Sequence, residues 1–275
     1  MEPQYININF DHIIEILRKG IRRADIFMGI GLNASTHDPA IPHVLSAEGF
    51  HHINLVKEQL SAEEKAHVAL EFGKWVRSNG LRELIETFSV FCDELYAALF
   101  VIHLATGKED KELLRPEQFE PRGIKDKLDA LTELIEVSEG DRRVLRSLNQ
   151  ARNCYAHRQG RVGARDVGPD NKPMKLVWNA FQVEAKEPNG NIVPEDEIVG
   201  YLFEEGAMIQ LRVIEREKEF GFNTELVLDR KDLKEICLSV LNIGHRFMHQ
   251  SVELAKELGI LRDTVDETFG QPEAI

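Results

Sequence analysis

Apolar residues recur with helical spacing along most of the chain. A first stripe, at i, i+3 and i+4 spacing, consists of Ile13, Ile14, Leu17, Ile21 and Ala24. It predicts a helix that Asp11 caps and that runs to about Phe27. The opposite face of this helix is basic, with Arg18, Lys19, Arg22 and Arg23. The Asn, Ser, Thr, Pro and Gly content of residues 33–50 then predicts a loop.

A second helical pattern begins at a capping box, in which Ser61 is followed three residues later by Glu64. It persists from Ala62 to about Ala105. Because Asn79-Gly80 interrupts it, we expect two long helices in succession. The second helix is strongly apolar, as a central helix of a bundle should be, and carries Leu84, Ile85, Phe88, Phe91, Leu95, Leu99 and Ile102.

After a connection at residues 106–123, the pattern predicts a helix over Lys125–Val137 and another that ends near His157. The character then changes to alternation of apolar and polar residues. We expect strands at Met174–Glu184, Ile198–Phe203, Met208–Glu217 and Phe220–Leu228. Asp229 is expected to cap a last long helix.

The predicted fold class is mainly α, a helical bundle with a small antiparallel β insertion at about 170–228, before the last helix. We expect residues 1–60 to form an N-terminal helix and loop packed on the bundle. We expect residues 61–258 to form the bundle with its insertion and residues 259–275 to form a loose C-terminal tail.

Composition narrows the class of protein. A net charge of −13 argues against broad, sequence-independent duplex binding, which depends on many Lys and Arg contacts to phosphates. Three cysteines, odd in number and far apart, do not indicate a disulfide framework. The first ten residues lack the pattern of a signal peptide, and Asp93, Glu94 and His103 interrupt the apolar stretch 88–105. We therefore expect a cytoplasmic protein with no membrane partner.

A local reversal of charge lies between Arg142 and Arg165. This stretch contains seven arginines and no Asp or Glu. Such a cluster in an acidic chain is able to hold an anion. In the alternative interpretation, the arginines pair with carboxylates elsewhere in the chain, and Arg152 pairs with one such as Asp93 or Glu94.

The helix that ends near His157 has two faces. Its core side is predicted to carry Val144, Leu148, Ala151 and Tyr155. Its polar side carries Arg146, Asn149, Gln150, Asn153 and His157. The second face is available to a ligand or a partner.

The residues at the end of this helix suit the chemistry of RNA cleavage without a metal. Histidine is the side chain most used as an acid or base at neutral pH, and His157 suits that role. Arg152 suits the role of phosphate clamp, because its planar fork binds phosphate oxygens and stays charged. Asn153 lies four residues before His157, so it is able to contact the phosphate or orient the imidazole.

A geometric objection applies to this pair. A spacing of five residues places Arg152 and His157 about 140° apart on a regular helix. The two can share a phosphate only if the arginine wraps round, the helix distorts, or a second protomer supplies one of them.

Arg152, a polar Asn153 and His157 after four intervening positions resemble the signature of the HEPN superfamily, and the flanking Ala156-His157-Arg158 is similar to many members. The resemblance implies a bundle of four to five helices that dimerises with the two motifs near each other. It also implies metal-independent ribonuclease activity, found in members from toxin–antitoxin, CRISPR-associated, abortive-infection and RNA-processing systems. Other members bind nucleotides. The strand insertion departs from the minimal pattern.

We therefore expect a homodimeric, cofactor-independent endoribonuclease with Arg152, Asn153 and His157 as catalytic residues. Arg146, Asn149, Arg158 and Arg161 are the candidate substrate-binding residues. The alternative is a non-catalytic module of the same fold that binds a nucleotide or a partner protein, such as an antitoxin.

No metal site is expected. His37, His43, His51 and His52 come with no nearby Cys or tight carboxylate pattern, and the pair His245 and His249 lacks a third ligand.

Overall fold

The computed structural model describes residues 8–36, 60–106 and 113–260. Within them the protein is mainly helical, with a three-stranded antiparallel sheet before the last helix, as predicted. The elements in chain order are α1 (Phe10–Thr36), α2 (Ala62–Ala105), α3 (Pro116–Phe119), α4 (Ile124–Thr132), α5 (Glu139–Arg158), β1 (Met174–Lys186), β2 (Ile192–Pro194), α6 (Glu195–Ile198), β3 (Met208–Phe220) and α7 (Arg230–Glu257).

Helix α1 begins and ends outside its predicted limits. Its first turn is capped by Asn9, whose Oδ1 accepts a hydrogen bond from the His12 amide at 2.9 Å, so the assignment of the cap to Asp11 is wrong. The helix also continues nine residues past Phe27, to Thr36. The four histidines at positions 37, 43, 51 and 52 lie outside the described residues.

Helix α2 is one continuous helix of 44 residues, so the predicted break at Asn79-Gly80 is wrong. Gly80 does not interrupt the helix, because α2 packs closely against α1 at this residue. A Cβ at Gly80 would lie 2.2 Å from the Sδ of Met28, and a Cβ at Gly31 would lie 2.6 Å from a methyl of Val76. The glycines thus allow α1 and α2 to approach closely. The predicted capping box of Ser61 and Glu64 is present.

The second half of α2 forms the centre of the core. Phe88, Phe91, Leu95 and Leu99 are fully buried. Phe88 meets Phe247 of α7 at a ring-centroid distance of 6.0 Å. By length and composition α2 is also apolar enough to cross a membrane. Its burial in this bundle is typical of the core helix of a soluble protein.

The helix predicted over Lys125–Val137 ends earlier, as α4, at Thr132. Its last turn tightens, and the amide of Leu134 donates to the carbonyl of Leu131 at 3.0 Å. Leu134, Ile135 and Val137 remain buried in the connection to α5. The apolar residues after Thr132 are therefore spaced for burial of a turn, and the helix does not continue through them.

Strand β1 is the middle strand of the sheet, whose order is β2-β1-β3. Its first half passes between α5 and α7. The hydroxyl of Ser147 on α5 accepts from the Val177 amide at 3.0 Å, and the hydroxyl of Ser239 on α7 accepts from the Asn179 amide at 3.0 Å. These buried serines satisfy strand amides that have no partner strand on that side.

Two of the four predicted strands do not form. In the first region, predicted at Ile198–Phe203, Ile198 is the last residue of the short helix α6 and the residues after it form no strand. Val199 and Leu202, which follow it, are 92% and 79% exposed. In the second region, Phe220 ends β3, and the residues after it pair with the loop that follows α5. There the Leu226 amide donates to the Gly160 carbonyl at 2.8 Å. Helix α7 then begins at Asp229, as predicted, with a capping box.

Candidate functional site

Helix α5 carries the residues that the sequence analysis singles out, and its core face is as predicted. Val144, Leu148, Ala151 and Tyr155 are all buried. The hydroxyl of Tyr155 donates to the Leu226 carbonyl at 2.7 Å, which ties the helix end to the segment before α7. Burial raises the pKa of Tyr155 well above its usual value. This tyrosine therefore stays neutral and holds the helix in place.

The other face of α5 is partly open to solvent. Asn149 and Asn153 are half-buried, and His157 is exposed in the last helical turn. Among the described residues, His157 makes no hydrogen bond or ion pair, so its imidazole is free to contact a ligand.

The side chain of Arg152 points towards the side chain of Asn153. One Nη of the guanidinium donates to Asn153 Oδ1 at 2.9 Å. The other lies 3.5 Å from Oε1 of Glu86 on α2, which Arg82 also approaches at 3.6 Å. The arginine therefore bends towards Asn153 on the polar face, and among the described residues no hydrogen bond joins it to His157.

Glu86 is a residue of this site that the sequence analysis missed. Asp93, named there as a partner for Arg152, instead pairs with Lys127 of α4. Glu86 and Arg82 are i, i+4 neighbours, so their pairing along α2 could be expected from sequence. Their position opposite Arg152 could not, because it depends on how α2 packs against α5.

Most of the arginine cluster is paired with carboxylates, as the alternative interpretation states. Five of the seven have such a partner, in the pairs Arg142–Asp129, Arg146–Asp129, Arg143–Glu215, Arg152–Glu86 and Arg158–Asp166. Arg161 donates to Asn223 Oδ1 at 3.0 Å, and Arg165 is exposed. The cluster is therefore not an open positive surface.

The four candidate substrate-binding residues are not brought together as a group. Arg158 holds Asp166, whose side chain is only 2% exposed and also accepts from the Gly163 amide at 2.8 Å. This contact fixes the loop after α5. Arg146 forms an ion pair with Asp129. Arg161 lies beyond the end of α5, where its backbone forms an isolated β-bridge with Glu225. Of the four, Arg146 and Asn149 share the polar face with Asn153, and the Arg146 guanidinium is bound there by Asp129.

The basic face of α1 approaches the site through α2. Arg18, Lys19, Arg22 and Arg23 are all exposed. Arg23 forms an ion pair with Glu83, which lies three residues before Glu86 on α2. Arginines of α1, α2 and α5 thus each contact one of two neighbouring glutamates of α2, either Glu83 or Glu86.

Other reactive groups are poorly placed for chemistry. Cys154 lies on α5 but is fully buried, and burial, with a further contribution from Asp166, raises the pKa of its thiol to about 11. A cavity of about 330 Å³ is lined by Tyr96, Arg122, Asp126, Asp129 and Glu133 among others, and its three carboxylates disfavour an anion. Over residues 8–36, 60–106 and 113–260, no group of three His, Cys, Asp or Glu side chains is arranged to hold a metal ion.

Comparison of the chain with known protein families, with curated proteins and with solved structures gives no match. The site is therefore defined by its own geometry. That geometry consists of Arg152 held between Asn153 and Glu86, with His157 exposed at the end of the same helix.

Proposed function

We propose that the protein is a metal-independent endoribonuclease of the HEPN type that acts as a homodimer on single-stranded or loop RNA. The observation that supports this most is the position of the Arg152 guanidinium. It bends towards Asn153 at 2.9 Å, on the side of α5 that continues to the exposed His157. A fixed cation and a free imidazole on one helix end are the two groups that the reaction needs.

In the proposed reaction the RNA 2′-oxygen attacks the adjacent phosphorus and the bond to the 5′-oxygen breaks. The products are a 2′,3′-cyclic phosphate and a 5′-hydroxyl. One proton leaves the 2′-hydroxyl and one is delivered to the 5′-oxygen. His157 handles one of these protons, and Arg152 stabilises the negative charge that builds on the phosphate.

The dimer supplies the second acid–base group. One protomer offers a single His157 at the end of α5, whereas the reaction transfers protons at two oxygens. A second copy of α5 that faces the first brings a second imidazole to the same phosphate. In this arrangement the RNA phosphate competes with Glu86 for Arg152, and the exposed, 3.5 Å contact is weak enough to be replaced.

The test is cleavage of end-labelled RNA in EDTA by purified protein, His157→Ala and Arg152→Ala. We expect both variants to lose at least about 100-fold in cleavage rate, the scale of a general acid–base contribution. His67→Ala, an exposed histidine about five turns before Glu86 on α2, is the matched control and should cleave like wild type. Undiminished cleavage by a folded His157→Ala protein contradicts the proposal.

The alternative function is a non-catalytic module that binds a nucleotide or a partner protein. The pairing of five arginines with carboxylates favours it, because little free positive charge remains for a long RNA. This function predicts nucleotide or protein binding that Arg152→Ala weakens. It also predicts no RNA turnover, whether EDTA or a divalent cation is present.

A further inference from the structure

Strands β1 and β3 form a long antiparallel pair. Its apolar side chains lie on one face of the sheet in the first half of β1 and on the opposite face in the second half. In the first half of β1 the even-numbered residues Met174, Leu176, Trp178 and Ala180 are buried against the bundle. In the second half the apolar positions are odd-numbered, Phe181, Val183 and Ala185. Because side chains alternate along a strand, these point to the opposite face of the sheet.

Strand β3 extends this second apolar face. Val213 lies opposite Phe181, Leu211 opposite Val183 and Ile209 opposite Ala185. Ile209, Leu211 and Val213 are 59%, 62% and 56% exposed. On β1, Ala185 is buried and Phe181 and Val183 are half-buried, so the described part of the chain leaves the β3 side of this face uncovered. We call Phe181, Val183, Ile209, Leu211 and Val213 the outer apolar face.

Strand β3 is also an edge strand, since its only neighbour in the described sheet is β1. Its register with β1 is continuous over 13 residues, with no bulge to turn the edge away. Its second half carries Glu215, Arg216, Glu217, Lys218 and Glu219, the charges that usually protect an edge. Its first half, 208–214, contains one charge, Arg212. An unprotected apolar edge of this kind is a template for another strand.

We propose that this edge pairs with the same edge of a second copy of the chain, with Leu211 on the two-fold axis. The sequence of β3 is nearly symmetric about Leu211. In antiparallel pairing Ile209 lies opposite the second copy's Val213, and Gln210 lies opposite its Arg212. Met208 lies opposite Ile214. Apolar residues thus meet apolar ones and polar residues meet polar ones, so two three-stranded sheets join as one of six strands.

Neighbouring registers match less well. Moving the axis to Arg212 places Ile209 opposite Glu215, and moving it to Gln210 places Met208 opposite Arg212. A self-complementary patch is what a two-fold interface requires. This surface lies on the sheet, apart from the polar face of α5, and does not depend on the proposed ribonuclease activity.

Single cysteines test the register. Across the axis the two copies of residue 211 are about 4.5–5.5 Å apart between Cα atoms, within disulfide range. The two copies of residue 209 are about 14 Å apart along the strands, as are those of residue 213. We expect Leu211→Cys to form a disulfide-linked dimer on mild oxidation. Ile209→Cys and Val213→Cys should each stay monomeric on a denaturing gel, but an equimolar mixture of them should cross-link.

The background of this experiment is low, because the native cysteines Cys92, Cys154 and Cys237 are all buried. Wild-type protein, oxidised in parallel, measures the cross-linking that these native cysteines contribute. Cross-linking of Leu211→Cys at the wild-type rate overturns the proposal, as does cross-linking of Ile209→Cys alone as fast as Leu211→Cys.

Mass in solution gives an independent readout. At equal concentration, sedimentation should find wild-type protein in assemblies of twice the mass of Leu211→Lys, because the substitution places two like charges together on the axis. Val227→Lys, at an equally exposed apolar residue outside the sheet, should keep the wild-type mass. Equal masses for wild type and Leu211→Lys reject the interface. Cleavage of RNA is not part of either measurement, so this proposal and the proposed function fail separately.

Discussion

At the scale of single residues, Glu86 controls how much positive charge Arg152 offers to a ligand. Its carboxylate lies 3.5 Å from the guanidinium and is about half exposed. Glu86→Gln keeps the size of the side chain and removes the negative charge. We expect the variant to bind a short RNA with a 2′-deoxy substitution at the cleavage site about 2- to 5-fold more tightly, the scale of an exposed ion pair. Fluorescence anisotropy measures this affinity.

Glu94→Gln is the matched control for that experiment. Glu94 is exposed on the same helix, two turns further on, and has no ion pair with α5 among the described residues. It removes the same charge from the protein without touching Arg152. If Glu94→Gln tightens binding as much as Glu86→Gln, the effect comes from net charge and Glu86 has no special role.

The candidate site could be predicted from sequence only as far as local spacing reaches. Asn153 and His157 share a helix face because of the helical repeat, and the core side of α5 follows from the same rule. The partners of the arginines could not be predicted in this way. Glu86 is 66 residues from Arg152. Asp166 follows the acid-free stretch directly, and Asp129 lies 13 residues before Arg142. The excess of positive charge therefore holds only within residues 142–165 and not for the folded surface around them.

At the scale of elements, glycines decide how closely α1 packs on α2. A Cβ at Gly20 would lie 2.1 Å from Cγ2 of Thr87, a buried and short side chain that cannot move aside. Gly29 of the same helix has open space around it. We expect Gly20→Ala to lower the free energy of unfolding by about 1–3 kcal/mol. Gly29→Ala should raise it by up to about 1 kcal/mol, because alanine favours helix.

Urea unfolding of the two variants beside wild type measures both effects. The comparison is matched, since the substitution, the helix and the intrinsic propensity are the same and only the neighbours differ. A stabilised Gly20→Ala protein would contradict close packing at Thr87.

The caps of α2 and α7 could be predicted, but the cap of α1 and the interiors and ends of the long helices could not. Ser61 and Asp229 begin helices where expected because a cap acts through bonds within one turn. Gly80 does not break α2, because contact with Met28 outweighs the helix propensity cost of glycine, about 1 kcal/mol. The strand predicted at 198–203 fails for the opposite reason, since no element of the described chain buries Val199 and Leu202.

At the scale of the whole molecule, the first and last helices of the described chain close the bundle together. Lys234 of α7 pairs with Asp25 of α1 at 2.9 Å, and Arg230 donates to the Leu32 carbonyl at 3.0 Å. Further along α7, His245 meets the basic face of α1. Burial, and then the charge of Arg18, lower the pKa of His245 below its usual 6.5. A lowered pKa makes the free energy of unfolding depend on pH.

The direction of this sensitivity follows from proton binding. The unfolded chain protonates His245 near pH 6.5, whereas the folded protein does so only at lower pH. The stability contributed by neutral His245 is thus complete above pH 6.5 and is lost as the pH falls through the folded pKa. We expect His245→Gln to lose less stability than wild type between pH 7.5 and 5.5, measured by urea unfolding at both values. His67→Gln, at an exposed histidine of α2, controls for the loss of an imidazole. Equal losses in wild type and His245→Gln would show that the pKa of His245 is not lowered in the folded protein.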